Sequence, residues 1–293
     1  MRPAYVTDEA LKDFIERAFQ EDFGDGDHST LASIPAESEQ SAYLIMKEDG
    51  VIAGLDLAHL IFTRLDPHIE IEYLVTDGDS VKTGDIIMRL KGKVHAILGG
   101  ERLFLNCIQR MSGIATKTNY LNQLIQHTQA KLLDTRKTTP NLRMLEKWAV
   151  VIGGGVNHRY GLFDMIMLKD NHNDFAGGIT ASVEKAKAYL QSNGRDLKIE
   201  VETRTIEEVE ETLKAGGVFR IMLDNMSNEE MTEAVQLIDG RSETEASGGI
   251  TETTIKTIAE TGVDYISVGA LTHSIKSLDI SLKADTSFGK EQT

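Results

Sequence analysis

The sequence of 293 residues predicts an α/β fold, in which a mixed region of helices and strands precedes a parallel sheet. Two observations in the second half favour the parallel sheet. Short apolar segments with strand character alternate with segments of helical periodicity, which is the pattern of βαβ units. Each apolar segment also ends in charged residues or glycine, as expected where the carboxyl ends of parallel strands meet. The length allows two domains, at about 150 residues per domain.

Composition excludes several classes of protein. Hydrophobic residues make up 41% and charged residues 26% of the chain, which is typical of a globular protein. No apolar stretch approaches the roughly 18 residues that span a bilayer. The net charge of −15 opposes binding to nucleic acid or to an anionic membrane. The single cysteine, Cys107, excludes an intrachain disulfide, and the first 16 residues lack a signal-peptide pattern, so we expect a cytoplasmic protein.

The first hundred residues predict both helices and strands. Helical spacing covers residues 8–19, and an acidic, turn-rich loop follows at residues 21–30. Turn-forming residues then separate short strand-like segments. These strand-like segments are residues 42–47, 50–53, 69–75 and 85–90.

A long helix, predicted over residues 98–130, leads to the second half of the chain. The strands predicted after it are residues 131–134, 165–168, 197–201, 219–223, 243–246 and 265–268. The helices predicted between them include residues 180–192, 205–215, 228–237 and 252–260. The sheet can be closed or open on this pattern, and in a barrel all strand ends would share one cleft.

The last two strand ends are rich in glycine. Gly248-Gly249 and Gly269 each come directly before a predicted helical turn. Glycine at such a position lets backbone N–H groups approach a phosphate. The loops after the late strands of a barrel often bind phosphate, so we expect these residues to do so.

Residues 131–172 form a cationic segment in an acidic protein, with seven lysines and arginines against four acids. Arg136 offers a planar fork suited to a carboxylate, and Lys137 a compact charge suited to a phosphate. Pairing of both with Asp134 and Glu146 in a surface network is the alternative. The segment therefore predicts a site for a small, highly charged anion.

Two further cationic positions belong to the same segment. His158 and Arg159 follow three glycines, so the backbone there has the freedom to turn inward; a structural histidine is the alternative for His158. Lys169 follows an apolar strand and would be half-buried, and a buried ammonium group needs a partner such as a bound carboxylate.

Glu202 and Asp224 end neighbouring predicted strands. Two carboxylates near a phosphate site typically hold Mg²⁺ or ribose hydroxyls, and pairing with nearby lysine or arginine is the alternative. Whether Glu200 or Glu202 faces the site stays open. Arg102, on the long helix, has no role that its neighbours in the sequence suggest.

Seven segments in this order resemble the quinolinate phosphoribosyltransferase family, also called nicotinate-nucleotide pyrophosphorylase (carboxylating). They are Gly100-Glu-Arg-Leu with Met111-Ser-Gly-Ile-Ala-Thr, Asp134-Thr-Arg-Lys-Thr-Thr-Pro, Gly153-Gly-Gly-Val-Asn-His-Arg, Leu168-Lys-Asp-Asn-His, Leu223-Asp-Asn, Ala246-Ser-Gly-Gly-Ile and Ser267-Val-Gly-Ala-Leu-Thr-His-Ser. Asn141 stands where the family commonly has glycine, which asparagine tolerates because it adopts positive φ more easily than most residues.

The resemblance implies an N-terminal α/β sandwich and an incomplete α/β barrel of about seven strands. It places residues 1–114 and 275–293 in the sandwich, with the C-terminal tail returning to it, and residues 115–274 in the barrel. It implies the conversion of quinolinate and phosphoribosyl pyrophosphate (PRPP) to nicotinate mononucleotide, pyrophosphate and CO₂, in NAD biosynthesis. It also implies Mg²⁺ and a homodimer, or a larger assembly of dimers, with shared active sites.

The resemblance further implies roles for individual residues. The two carboxylates of quinolinate would be held by Arg102 of the partner subunit and by Arg136, His158, Arg159 and Lys169. PRPP would contact Lys137, Glu202, Asp224, Ser247, Gly248, Gly249 and Gly269. The catalytic residues would be Lys137, Lys169, Glu202 and Asp224, and Mg²⁺ would lie near Glu202 and Asp224, bound directly or through water.

Two alternatives stay open beside this interpretation. A related enzyme of the same fold, such as the relatives associated with molybdenum transport, would act on another nitrogen heterocycle or anion. A non-catalytic binding protein would have lost a glycine of the phosphate loops or an acid of the metal site, and the sequence shows neither loss.

Overall fold

The computed structural model describes residues 2–285. The chain divides into two compact units. Unit 1 consists of Met1–Lys117, Thr139–Gly154 and Ser274–Thr293, and unit 2 of Thr118–Thr138 and Gly155–His273. The sequence places residues 139–154 in the second domain, whereas they pack within unit 1. Residues 286–293, assigned by the sequence to the first domain, lie outside the described residues.

The predicted helices and strands are largely present, and the structure adds others that the sequence analysis did not predict, among them helices at Asp56–Leu65, Arg143–Ile152 and Asp170–Ala176. The first part of the chain contains α1 (Asp8–Phe23), α2 (His28–Ser33), β1 (Glu39–Met46), β2 (Gly50–Val51), α3 (Asp56–Leu65), β3 (Glu70–Tyr73), β4 (Ser80–Val81), β5 (Ile86–Lys93) and α4 (Val94–Ile125). The second part contains β6 (Lys131–Leu133), α5 (Arg143–Ile152), β7 (Ile166–Leu168), α6 (Asp170–Ala176), α7 (Ile179–Ser192), β8 (Ile199–Thr203), α8 (Ile206–Ala215), β9 (Arg220–Asp224), α9 (Asn228–Ile238), β10 (Glu243–Ser247), α10 (Ile255–Ala259), β11 (Tyr265–Ser267), α11 (Ala270–His273) and β12 (Ile280–Ala284).

The ends of helix α4 differ from the sequence prediction by four or five residues. The helix begins at Val94, whose N–H donates to the Ser38 carbonyl, because strand β5 leads into it without a loop. It ends at Ile125, whose carbonyl accepts hydrogen bonds from both the N–H and the hydroxyl of Thr128. This turn competes with the helical hydrogen-bond pattern and stops the helix before residue 130.

Unit 1 contains an antiparallel sheet in the order β12-β1-β5-β3. Ala42, Leu44 and Met46 of β1 are buried and alternate with more exposed residues, which is the two-residue period of a sheet with one face covered. Asn141, in the same unit, has a φ of 63°, so the prediction of a positive φ at this position is confirmed.

Strand β12 and the segment before it pack against helix α4 within unit 1. The N–H of Leu278 donates to the Gln109 carbonyl, and the Gln109 side chain donates to the Ile280 carbonyl. Gly113 permits this approach, because an added Cβ would lie 2.4 Å from the carbonyl oxygen of Lys276.

Unit 2 contains a parallel sheet in the order β6-β11-β10-β9-β8-β7. A single parallel bridge between Leu133 and Val156 adds a seventh strand position beside β6. His158, close to that edge, contacts Glu200 of β8 and Glu245 of β10, so the sheet curves around its own interior. The predicted α/β fold class, with its parallel sheet of alternating strands and helices, is confirmed. No helix in the described part of the chain is long and apolar enough to cross a membrane.

Replacement of Gly113 by alanine is expected to destabilise the protein by about 1–3 kcal/mol, since the methyl group overpacks the contact with Lys276. Urea denaturation measures the effect. Asn106→Ala, at an exposed position of the same helix, is the control and should change stability by no more than about 0.5 kcal/mol. Equal stabilities of the two variants would contradict the packing described here.

Candidate functional site

A groove of about 960 Å³ lies within unit 2, at the carboxyl ends of the parallel strands. The residues lining it come from the ends of all six strands and from the loop after Val156. Those that the sequence predicted are Arg136, Lys137, His158, Arg159, Lys169, Glu202, Asp224, Ser247, Gly248, Gly249 and Gly269. Arg102 lies on helix α4 in unit 1 and is not among the lining residues.

Two guanidinium groups, of Arg136 and Arg159, share the cationic side of the groove. The Arg159 guanidinium donates to the Met165 carbonyl at 3.2 Å. Burial, and next the positive charge of Arg136, hold the pKa of Arg159 below its usual range. Two like charges in a partly buried site are unfavourable by themselves, so the groove favours a bound anion.

The acids considered as alternative partners for Arg136 and Lys137 bind other groups. In unit 1, Glu146 is fully buried and accepts hydrogen bonds from Arg110 at 2.8 and 3.0 Å. In unit 2, Asp134 accepts from the His158 N–H at 2.8 Å. Asp134 thus fixes the loop that carries Arg159 into the groove.

His158 is buried, and its ring contacts groups on several strands. Its Nε2 lies 3.1 Å from a Glu200 oxygen and 3.3 Å from a Glu245 oxygen, and its Nδ1 accepts from the Arg159 N–H at 2.6 Å. The sequence analysis missed Glu245. The one sign of it in the sequence was its position two residues before Ser247, because that spacing places both side chains on one face of β10.

Glu200 and Glu202 differ in whether they line the groove. Glu202 lines the groove, whereas Glu200 is fully buried. The Lys169 ammonium group forms an ion pair with the Glu202 carboxylate at 2.6 Å, and the Lys169 side chain is 46% exposed. The alternative proposed from the sequence, in which Glu202 pairs with a nearby lysine, is therefore seen in the structure. An anion that binds Lys169 would compete with Glu202 for the ammonium group.

Asp224 and Asn225 form a unit at the end of β9. The Asn225 side chain donates to the Asp224 carboxylate at 2.7 Å, and its N–H donates to the Ser247 carbonyl at 2.8 Å. Asn225 adopts a φ of 55°, a conformation that asparagine tolerates better than most residues. Like Glu245, it lines the groove and was not selected by the sequence analysis, although the Asp-Asn pair at a strand end was visible.

The glycines at the late strand ends are required by geometry. Gly248 has a φ of 95°, and an added Cβ would lie 2.2 Å from the Asn225 amide oxygen. Gly269 lies against the Lys137 side chain, where an added Cβ would be 3.2 Å from Lys137 Cδ. These close approaches bring backbone N–H groups and the Lys137 ammonium to one side of the groove, which suits a phosphate.

The groove therefore contains two kinds of anion-binding group together with carboxylates. Arginine and lysine side chains line it, glycine loops also line it, and Glu202 and Asp224 stand on the neighbouring strands β8 and β9. Such an arrangement can hold a carboxylate-bearing molecule beside a phosphorylated one.

Comparisons with known proteins agree with this chemistry. Residues 27–112 match the model of the N-terminal domain of quinolinate phosphoribosyl transferase, and residues 114–283 match the model of its C-terminal domain. The chain is 48% identical over 304 aligned residues to quinolinate phosphoribosyltransferase [decarboxylating] 1b of Nicotiana tabacum, covering 99% of this chain and 86% of the relative. Identity to the probable nicotinate-nucleotide pyrophosphorylase [carboxylating] of Bacillus subtilis is 44%, covering 93% of this chain and 92% of the relative.

Solved structures show the same likeness. The nicotinate-nucleotide pyrophosphorylase from Francisella tularensis superposes with a TM-score of 0.89 at 39% identity, covering 96% of this chain and 98% of that one.

Gly248→Ala is expected to weaken the binding of inorganic pyrophosphate about 10-fold or more, since strain at a positive φ costs ~1–3 kcal/mol and the methyl group collides with Asn225. Titration calorimetry measures this. Gly240→Ala is the matched control, because Gly240 also has a positive φ, of 69°, but an added Cβ meets nothing within 4 Å. Equal affinities in the two variants would contradict an anion site at residues 247–249.

Proposed function

This chain belongs to the quinolinate phosphoribosyltransferase family, and we propose that the groove of unit 2 is its active site. The enzyme converts quinolinate and PRPP to nicotinate mononucleotide, pyrophosphate and CO₂, a step of NAD biosynthesis. The observation that carries the assignment of the site is the pair of guanidinium groups, Arg136 and Arg159, in the groove that Gly248 and Gly249 also line.

Quinolinate would bind at the cationic side of the groove. Its two carboxylates need at least two positive partners, and Arg136, Arg159 and Lys169 line the groove there. Charge-assisted hydrogen bonds of this kind contribute roughly 1.5–3 kcal/mol each. His158 also lines the groove, but its Nε2 faces Glu200 and Glu245 and its Nδ1 accepts the Arg159 N–H, so it would act on quinolinate through Arg159.

PRPP would bind at the opposite side. Lys137, Ser247 and the glycines at positions 248, 249 and 269 would contact its phosphate groups. Glu202 and Asp224 would accept hydrogen bonds from the ribose hydroxyls. When a quinolinate carboxylate binds Lys169, the ion pair between Lys169 and Glu202 loosens, which leaves Glu202 available to the ribose.

Mg²⁺ fits the donor set of this site. Glu202 and Asp224 present carboxylates at the ends of adjacent strands, and carboxylate oxygens supplemented by water are the ligands that Mg²⁺ prefers. When bound, Mg²⁺ would neutralise negative charge on the departing pyrophosphate. Glu202 and Asp224 would hold it directly or through water.

The reaction requires positioning and charge stabilisation more than a protein nucleophile. The quinolinate ring nitrogen forms a bond to the anomeric carbon of PRPP, while the bond from that carbon to pyrophosphate breaks and its electron pair leaves with pyrophosphate. Glu202 and Asp224 stabilise the positive charge that develops on the sugar, and Lys137 and Lys169 stabilise the anionic groups. The C2–carboxylate bond then breaks, CO₂ leaves, and the electron pair left at C2, beside the positive nitrogen, takes up a proton.

We propose a homodimer in which Arg102 of the partner subunit completes each site. Arg102 belongs to unit 1, and the described groove lies in unit 2, so the fifth cation that the family implies is not a lining residue of this groove. Exposed apolar side chains follow the groove residues along the chain, and burial of such side chains commonly stabilises a dimer. Leu162 and Phe163 come shortly after Arg159, and Phe175 after Lys169, with 71%, 67% and 91% exposure. A cytoplasmic location stays a prediction.

The purified protein is expected to release pyrophosphate and form nicotinate mononucleotide from quinolinate, PRPP and Mg²⁺, and to stop when EDTA removes the metal. Nicotinate lacks the second carboxylate, so its kcat/KM should be lower by about 100-fold, which corresponds to the loss of ~3 kcal/mol of charge-assisted contacts. A coupled assay for pyrophosphate, with chromatography of the nucleotide, measures both substrates. Turnover of nicotinate without turnover of quinolinate would contradict the proposed substrate.

A mixture of the inactive variants Arg102→Ala and Lys169→Ala should recover about a quarter of wild-type activity after subunit exchange, because half of the dimers are mixed and each has one intact site. The control is a mixture of Lys169→Ala and Arg136→Ala, which should stay inactive since both substitutions affect residues of the same groove. Absence of recovery in the first mixture, with exchange shown by mass spectrometry of differently tagged subunits, would contradict the shared site.

A further inference from the structure

A buried cluster of four charged side chains belongs to unit 2 but has no part in the reaction proposed above, apart from His158. The cluster consists of His158, Glu200, Arg220 and Glu245, which are 7%, 0%, 6% and 0% exposed. Glu200, Arg220 and Glu245 lie on the neighbouring strands β8, β9 and β10. Glu245 itself lines the groove, and Glu200 precedes the lining residue Glu202 by two positions, so both side chains are on the inner face of the sheet.

Arg220 and His158 each contact both carboxylates of the cluster. Arg220 Nη1 lies 3.1 Å from a Glu245 oxygen and 3.8 Å from a Glu200 oxygen. His158 Nε2 lies 3.1 and 3.3 Å from the same two carboxylates. Arg220 also donates to Glu243, and its guanidinium lies 4.2 Å from the centre of the Tyr265 ring. One histidine and two carboxylates resemble a metal-ligand set, but Arg220 already supplies a positive charge to both carboxylates.

The two ring nitrogens of His158 have different partners. The carboxylates of Glu200 and Glu245 face Nε2 and favour a proton on that nitrogen. Nδ1, however, accepts the Arg159 N–H at 2.6 Å, and only an unprotonated nitrogen can accept. While that bond is made, the ring proton is therefore on Nε2, where it points to the carboxylates.

We propose that Glu200 and Glu245 are positioning residues for quinolinate recognition, acting through the His158 ring on the backbone of Arg159. The carboxylates hold Nε2–H, the ring orientation presents Nδ1 to the Arg159 N–H, and the chain direction at Arg159 sets where its guanidinium enters the groove. Asp134 holds the same segment from the other side, through the His158 N–H. Arg220 lies against both carboxylates and connects them to strand β9. The inference rests on the proposed function, because it explains how Arg159 is held where quinolinate would bind.

Burying two carboxylates costs free energy, because each loses its hydration. Burial and the charge of Glu245 raise the pKa of Glu200, opposed by His158 and Arg220. Apolar side chains at these positions would avoid this loss of hydration. The cluster supplies instead a fixed hydrogen-bond direction to the His158 ring.

Glu245→Gln tests the proposal, because it retains the shape of the side chain and removes one of the two charges that hold Nε2–H. The KM for quinolinate is expected to rise roughly 10-fold, as is typical when a residue that orients a ligand-binding group is changed, while the KM for PRPP stays within about 2-fold. Glu243→Gln is the matched control, since Glu243 binds the same arginine but does not contact His158. It should leave both KM values unchanged. An unchanged KM for quinolinate in folded Glu245→Gln would overturn the proposal.

A second measurement does not depend on activity. ¹⁵N NMR of histidine-labelled wild-type protein, with His158 assigned from its loss in His158→Gln, should show a proton on Nε2 and none on Nδ1 at pH 7. A proton on Nδ1 at that pH would overturn the proposal. If the wild-type protein does not turn over quinolinate and PRPP, the proposed function fails, whereas normal turnover with a protonated Nδ1 contradicts the positioning role alone.

Discussion

The site depends on the repulsion between two guanidinium groups that the fold holds together in a partly buried groove. The pKa of Arg159 is lowered by its burial and by the charge of Arg136, so an anion beside both groups would be favourable. Asp134 and His158 keep the chain in place where it carries Arg159, and the parallel sheet brings both arginines to the same edge. We propose that affinity for a doubly charged ligand follows from this arrangement.

The remaining groups of the groove serve the second ligand and the connection between the two. Gly248 is fixed by its contact with Asn225, which in turn orients Asp224. Lys169 and Glu202 pair across the ends of β7 and β8. We propose that a ligand bound to Lys169 frees Glu202, which would link the two binding events through this ion pair.

Much of the fold and of the groove was predictable from the sequence, because strand periodicity locates each strand end and parallel strands end at one edge. Eleven predicted residues, from Arg136 to Gly269, line one groove for this reason. The sequence could not predict contacts between strands that depend on how the sheet curves. Glu245 and Arg220 therefore escaped notice, since a buried acid beside a buried cation on different strands has no local pattern. The stop of helix α4 near Thr128 depends on a local side-chain hydrogen bond that periodicity does not reveal.

A crystal structure of the protein with quinolinate tests the central claim most directly. We predict that the two carboxylates lie within hydrogen-bond distance of the guanidinium groups of Arg136 and Arg159 and of the Lys169 ammonium group, with the ring nitrogen facing the side of Gly248. Quinolinate bound away from these three side chains, or held with both carboxylates in solvent, would contradict the claim that their convergence creates the site.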